Sequence, residues 1–249
     1  MVVQPFPGIE PPPPAAPEAR GPEPTFNGRA LPFALRGIAL AIVLARTISF
    51  VLRELAAPVG AQFFVFWAII FGGLWLTCRY VSRRFGSGNP WSDFGFTWRP
   101  SDLWRGVAAY VVAQTLAGTA MAPWAGHTTK LNYVTARMTH VSWPAFAVWA
   151  FSAIVAAPIF EELAFRGMVQ RTLASRVGGG WAIFGQAVAF GAYHMTPGLG
   201  GENAPYFAAL VCFGVVMGWL ARRLRRLGAG CTAHVLANGL IVLSRATAR

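Results

Sequence analysis

Two adjacent carboxylates, Glu161 and Glu162, are followed by Arg166, and the group comes directly after the apolar stretch 145–160. Only 9 Asp and Glu residues occur in 249, so a pair set against an apolar segment asks for a reason. A carboxylate at membrane depth is costly and marks a functional site by default. The chemistry open to it is base catalysis, in which a carboxylate takes a proton from water. Hydrolysis also needs donors aimed at the oxygen that becomes negative. Such groups lie downstream, at His194, four residues after Phe190, and at His234 and Asn238, again four apart.

Helical positions four apart differ by about 40° in azimuth, because each residue turns about 100°. Glu162 and Arg166 can therefore pair, whereas Glu161 points about 100° away from Glu162 and is not consumed by that pair. One carboxylate is then structural and the other is left for chemistry. From a turn near 175–180, Glu161 lies 14 residues back and His194 lies 14 forward. At about 1.5 Å per residue both sit roughly 21 Å from the turn. His234 and Asn238 follow Arg226 at about 12 and 18 Å by the same rise. Three helices can thus bring the four residues towards one level, with a looser fit for the last pair. Taken singly, an intramembrane His or Asn is an ordinary interhelical hydrogen-bonding residue, and only the combination points to a site. His127 and His140 fall in a connecting loop and read as solvated.

The elements that must position these residues follow from composition. At 55% hydrophobic and 12% charged residues, with a mean hydropathy of +0.47, the chain reads as a polytopic all-α membrane protein. We expect a transmembrane helical bundle of about seven to eight membrane helices around a polar cavity, embedded in a lipid bilayer. Seven apolar segments approach the roughly 20 residues a span requires: 31–52, 59–79, 103–124, 144 to about 173, 181 to about 195, 205–221 and 228–243. Three domains are expected: a Pro-rich disordered tail at 1–30, N-terminal membrane helices at 31–142, and a catalytic membrane core at 143–245. The tail lacks the basic start, apolar core and cleavage site of a signal peptide.

The net charge of +12 does not imply nucleic acid, because the basic residues lie in short clusters between apolar segments. With the N-terminus in the cytoplasm, thirteen basic residues fall inside, Arg222, Arg223, Arg225 and Arg226 among them, against five outside. Arg-rich, Lys-poor usage favours a bacterial inner membrane. Arg46 lies inside the first span with no partner legible in sequence. Pro158 interrupts the fourth segment three residues before Glu161 and is expected to kink it. Cys78, Cys212 and Cys231 have neither disulfide-framework nor zinc-ligand spacing.

Glu161-Glu162-Leu163-Ala164-Phe165-Arg166-Gly167 reads as EExxFRG, Phe190 to His194 as FxxxH, and His234 to Asn238 as HxxxN. In this order the three motifs resemble the CPBP (CAAX protease and bacteriocin-processing, Abi) family, which includes the type II CAAX prenyl endopeptidases. The resemblance implies an intramembrane endopeptidase acting on a membrane-associated or prenylated, CAAX-like protein or peptide. It further implies Glu161 as general base and His194 holding the water. His234 and Asn238 would stabilise the oxyanion, and Glu162 with Arg166 would orient the group. Members are often labelled metalloproteases, and Glu161, His194 and His234 are the ligands a zinc ion would use. The HExxH helix of zincins is absent, however, and a mechanism requiring no cofactor is the favoured implication. The competing class is a non-catalytic membrane protein, either a transporter with an acidic site or an immunity or scaffold protein retaining the fold. No two-half repeat supports transport.

Overall fold

A computed structural model describes residues 25–125, 138–196 and 198–248. It is all-helical, with no strand among the described residues. The helices are α1 (Leu31–Glu54), α2 (Val59–Phe85), the short α3 (Pro90–Asp93), α4 (Asp102–Met121), the long α5 (Trp143–Val177), α6 (Gly179–Tyr193), α7 (Asn203–Leu224) and α8 (Gly228–Ala246). By length and composition, four stretches can cross a membrane: Gly28–Glu54, Val59–Phe85, Trp143–Val177 and Gly200–Leu224. The expected segments at 103–124, 181–195 and 228–243 are helices too, of 20, 15 and 19 residues.

Small residues at helical spacing, Ala34, Ala41 and Ala45, bury one face of α1, and α2 packs against that helix. Elsewhere α1 and α2 present large apolar side chains outward, including Leu40, Phe64 and Leu76. A water-facing surface of that kind would aggregate, whereas a hydrocarbon-facing one needs no further cover. The protein is accordingly an integral membrane protein. The most apolar part of α5 is 39% buried against 17% for α1 and for α2, which makes α5 an inner helix and the first two peripheral. Helix α4 packs against α7 and α8, and α6 packs against α5 and α7.

Helix α5 is not uniform. Ser152–Ala156 and Glu162–Val169 are π-helical and flank the α-helical Ala157–Glu161. Proline has no backbone N–H, so Pro158 cannot continue the ladder, and the turns on either side of it widen. Carbonyls in this stretch take side-chain donors from α8. Asn238 Nδ2 donates to Ala153 O at 2.8 Å, and Cys231 Sγ approaches Pro158 O at 3.1 Å. In a membrane, irregular backbone persists where protein partners satisfy it in this way.

The turn from α5 to α6 is made by Gly178 at φ +78°, a left-handed conformation that glycine adopts without a Cβ penalty. It makes α5 and α6 an antiparallel hairpin. The ends of the helices meet on one face. Arg176 Nε donates to Gly28 O (2.7 Å), Arg171 Nη1 to Asp93 O (3.0 Å), and Leu227 N to Gly95 O (3.1 Å). Asp102 and Arg226 close the same face through three hydrogen bonds of 2.7 to 3.1 Å.

Of the expected tail, residues 1–24 lie outside the described residues. Residues 25–30 are seated: Phe26 packs edge-on against Phe94 at 5.1 Å, and its N–H donates to Arg171 O. His127 also lies outside the described residues, and His140 is exposed.

Candidate active site

The two carboxylates part as their positions in the helix require. Glu161 is 2% exposed and Glu162 is fully buried, although both are charged residues that normally seek water. Glu162 Oε1 sits 3.0 Å from Arg166 Nη1, an ion pair whose angles fall short of a hydrogen bond. The same oxygen lies 3.2 Å from His234 Nδ1. Arg166, only 1% exposed, has its Cζ 4.1 Å from the Phe190 ring centroid and 5.9 Å from that of Phe213. A guanidinium over desolvated aromatic faces is stabilised by the ring quadrupoles, which helps to offset the loss of water. Phe190 thus packs on both Arg166 and His194, whose ring centroid lies 4.6 Å away.

Glu161 faces the other way. Its Oε1 accepts a hydrogen bond from Tyr193 Oη at 3.3 Å. Its Oε2 stands 3.8 Å from His194 Nε2 and 3.8 Å from His234 Nε2. The hairpin depth count therefore holds for Glu161 and His194, and α8 brings His234 to the same point.

The tautomers follow from the partners. His194 Nδ1 lies 2.8 Å from Phe190 O, and a carbonyl can only accept, so Nδ1 donates and the neutral ring presents Nε2 as an acceptor. His234 Nδ1 faces the Glu162 carboxylate, and the same reasoning makes its Nε2 an acceptor. Three acceptors then converge: Glu161 Oε2, His194 Nε2 and His234 Nε2. A separation of 3.8 Å is too long for a direct hydrogen bond, and the buried Glu161 Oε2 is the oxygen that a proton-donating group would satisfy.

Converging lone pairs also suit a cation, so zinc must be tested on the spacing. Ligands bound at 2.0 to 2.1 Å in a tetrahedron lie about 3.3 Å apart, closer than the 3.8 Å found here. No group of three His, Cys, Asp or Glu side chains among the described residues is gathered closely enough to hold a metal ion. As placed, Glu161 Oε2 stands further from each imidazole nitrogen than two ligands of one zinc ion would.

Asn238 sits one turn beyond His234, and its bond is to Ala153 O in the first π-helical stretch. Three residues at or near the site carry no sequence motif of their own. Tyr193 precedes His194, and its only sequence signal is that adjacency. Phe213 of α7 has its ring centroid 5.4 Å from that of His234. Arg46 of α1, conspicuous as an intramembrane charge, donates to Met195 O, next to His194. Gly167 lets α5 approach the 94–97 segment closely: a Cβ there would lie 2.7 Å from Phe94 Cβ and 3.0 Å from Phe94 O.

Residues 142–240 match the family model for type II CAAX prenyl endopeptidases, Rce1-like. That segment is similar to the CAAX protease family. It covers about two fifths of the chain and contains every residue of the three motifs. Helices α1, α2 and α4 lie outside it. No curated protein and no solved structure was found to match the chain. The family is one of proteases that act on membrane-associated substrates, in agreement with the integral membrane fold.

Proposed function

We propose that the chain is an intramembrane endopeptidase that hydrolyses a peptide bond with water activated by Glu161, without a metal. The observation carrying this reading is the convergence of Glu161 Oε2 on the Nε2 atoms of His194 and His234, 3.8 Å from each. A water held at that point can donate to two of the three acceptors, and Glu161 takes one of its protons as the oxygen attacks the carbonyl carbon. His194 holds and polarises the water. The tetrahedral oxyanion is stabilised from α8 by His234, which takes a proton from solvent as the charge develops and returns it when the carbonyl re-forms, and by the second N–H of the Asn238 amide. The C–N bond then breaks, and the proton carried by Glu161 passes to the departing nitrogen. A carboxylic acid and an amine result.

Glu162 and Arg166 are positioning residues in this scheme. Arg166 holds Glu162, and Glu162 holds Nδ1 of His234, so the ring presents Nε2 to the reacting side. Tyr193 fixes the opposite oxygen of Glu161. The substrate we assign is a membrane-associated protein or peptide with a prenylated, CAAX-like C-terminus, as the family match supports. Seven helices would cross the bilayer, with 143–245 as the catalytic core. The basic face carrying Arg222 to Arg226 would be cytoplasmic, in a bacterial inner membrane.

The test is cleavage of a farnesylated CAAX peptide by the full chain in lipid nanodiscs, with and without chelator. Glu161→Gln and His194→Ala should each lower kcat by about 10²- to 10⁴-fold, and chelator should leave the wild-type rate unchanged. Unchanged cleavage in both variants would sink the protease assignment. Loss of activity on chelation, restored by zinc, would replace the metal-free mechanism.

A further inference from the structure

A groove of about 580 Å³ runs between α4 and α7, away from the carboxylates. On the α4 side it is lined by Trp104, Arg105, Ala108 and Val112, and on the α7 side by Val215, Trp219 and Arg223 among others. It exists because α4 places alanine where its neighbours carry large side chains. Trp104 and Trp219 stand as its outer walls, 63% and 56% exposed. Its volume is that of a small-molecule site.

The groove is polarised along the membrane normal. Arg105 follows the start of α4 by three residues, and Arg223 is the last residue but one of α7. Both belong to the basic face, which Asp102 and Arg226 hold together. Val112 and Val215 form the deep end, about 10 to 12 Å further in at 1.5 Å per residue. That is most of one leaflet of hydrocarbon.

The charge at the mouth is not cancelled locally. Asp102 accepts three hydrogen bonds from Arg226 and one from the Arg99 N–H, while Arg105 reaches it only at 4.0 Å. Arg105 is held in place, its Nη1 donating to Ser101 Oγ at 3.2 Å and its Cζ 5.2 Å from the Trp104 ring centroid. Arg223 is exposed. A positive-inside topology accounts for arginines on this face, but not for an apolar trough leading inward from two of them.

We propose that this groove binds one anionic phospholipid, its phosphate between Arg105 and Arg223 and an acyl chain lying over Ala108 towards Val112. Guanidinium forks match phosphate oxygens, indoles favour the headgroup level, and the apolar trough takes the chain. The site is independent of the peptidase reading, since Glu161, His194 and His234 are not among its lining residues.

Native mass spectrometry of the full chain in detergent, titrated with dioleoyl phosphatidylglycerol or dioleoyl phosphatidylcholine, tests it. We expect one phosphatidylglycerol to bind at least tenfold more tightly than phosphatidylcholine. The double variant Arg105→Gln, Arg223→Gln should lose roughly 30-fold, about fivefold per arginine, and bind the two lipids alike. The double lysine variant should keep most of the preference, and Ala108→Phe, which fills the trough with both arginines intact, should weaken phosphatidylglycerol binding. An unchanged elution volume and lipid-free melting temperature show that each variant is folded; a variant that fails this check is replaced by the corresponding single substitution. Equal affinity for the two lipids in the wild type, or an unchanged preference in the double glutamine variant, would overturn the proposal.

Discussion

The Glu162 to Arg166 pair offers a quantitative test of how the site is held. Both side chains are shielded from solvent, with 3.0 Å between Nη1 and Oε1. Glu162→Gln keeps the size of the side chain and can still accept from His234 Nδ1, but it leaves the guanidinium without its paired carboxylate, the more distant Glu161 being the one that remains. Removing one partner of a buried pair costs about 3 to 5 kcal/mol, because the other charge stays buried. The contacts of Arg166 with Phe190 and Phe213 are worth about 2 kcal/mol when desolvated, and they exist before and after the change, so they do not reduce the difference. Arg166→Met strands the carboxylate instead and should cost about 3 kcal/mol, since His234 remains as a partner. The double variant buries neither charge of the pair and should lose only about 1 to 2 kcal/mol. The coupling between the two sites is then at least about 4 kcal/mol. Equilibrium unfolding in mixed micelles, read by tryptophan fluorescence, measures all three. If the double variant loses the sum of the single losses to within about 0.5 kcal/mol, the pair is not what holds this corner of α5.

Three further outcomes follow from the geometry. Tyr193→Phe removes the 3.3 Å bond to Glu161 Oε1 and should lower kcat roughly tenfold with KM nearly unchanged; a purely structural role would show as a lower melting temperature with kcat intact. Gly167→Ala sets a methyl against Phe94, including its backbone oxygen, and should destabilise by about 1 to 3 kcal/mol, seen as a lower unfolding midpoint. Burial pushes the Asp102 carboxyl up, but hydrogen bonds from Arg226 and the Arg99 N–H, with the nearby arginine charges, outweigh it and hold the carboxyl below its usual range. Its contribution to stability is therefore complete above about pH 4 and is lost as pH falls through the lower folded value. Asp102→Asn should flatten that part of the stability profile measured by thermal melts between pH 3 and 6.

Local periodicity carried part of the site. Glu162 and Arg166 are four apart in one helix, and their pairing needs no knowledge of any other element. The level shared by Glu161 and His194 was also legible, because a tight turn and a fixed rise per residue set depth in a hairpin. Pro158 is flanked by two π-helical stretches that the sequence did not foretell, since a missing N–H says that the ladder must change but not how neighbours will satisfy it. Asn238 shows the limit from the other side. Its spacing from His234 placed it on the right face of α8, while the carbonyl it bonds, Ala153 O, was freed by the irregularity of a different helix. Arg46 stood out as a charge in an apolar span, yet its acceptor lies 149 residues away in sequence.

The sequence by itself determined the membrane class, the helical elements and the separation of two adjacent carboxylates, because hydropathy, charge placement and helical rotation act over a few residues at a time. Only the tertiary structure decided that Glu162 serves both Arg166 and His234, that Tyr193 holds Glu161, and that the two Nε2 atoms meet one carboxylate oxygen. Those facts depend on which faces of α5, α6 and α8 are pressed together, and helix packing is a long-range outcome that no local spacing encodes.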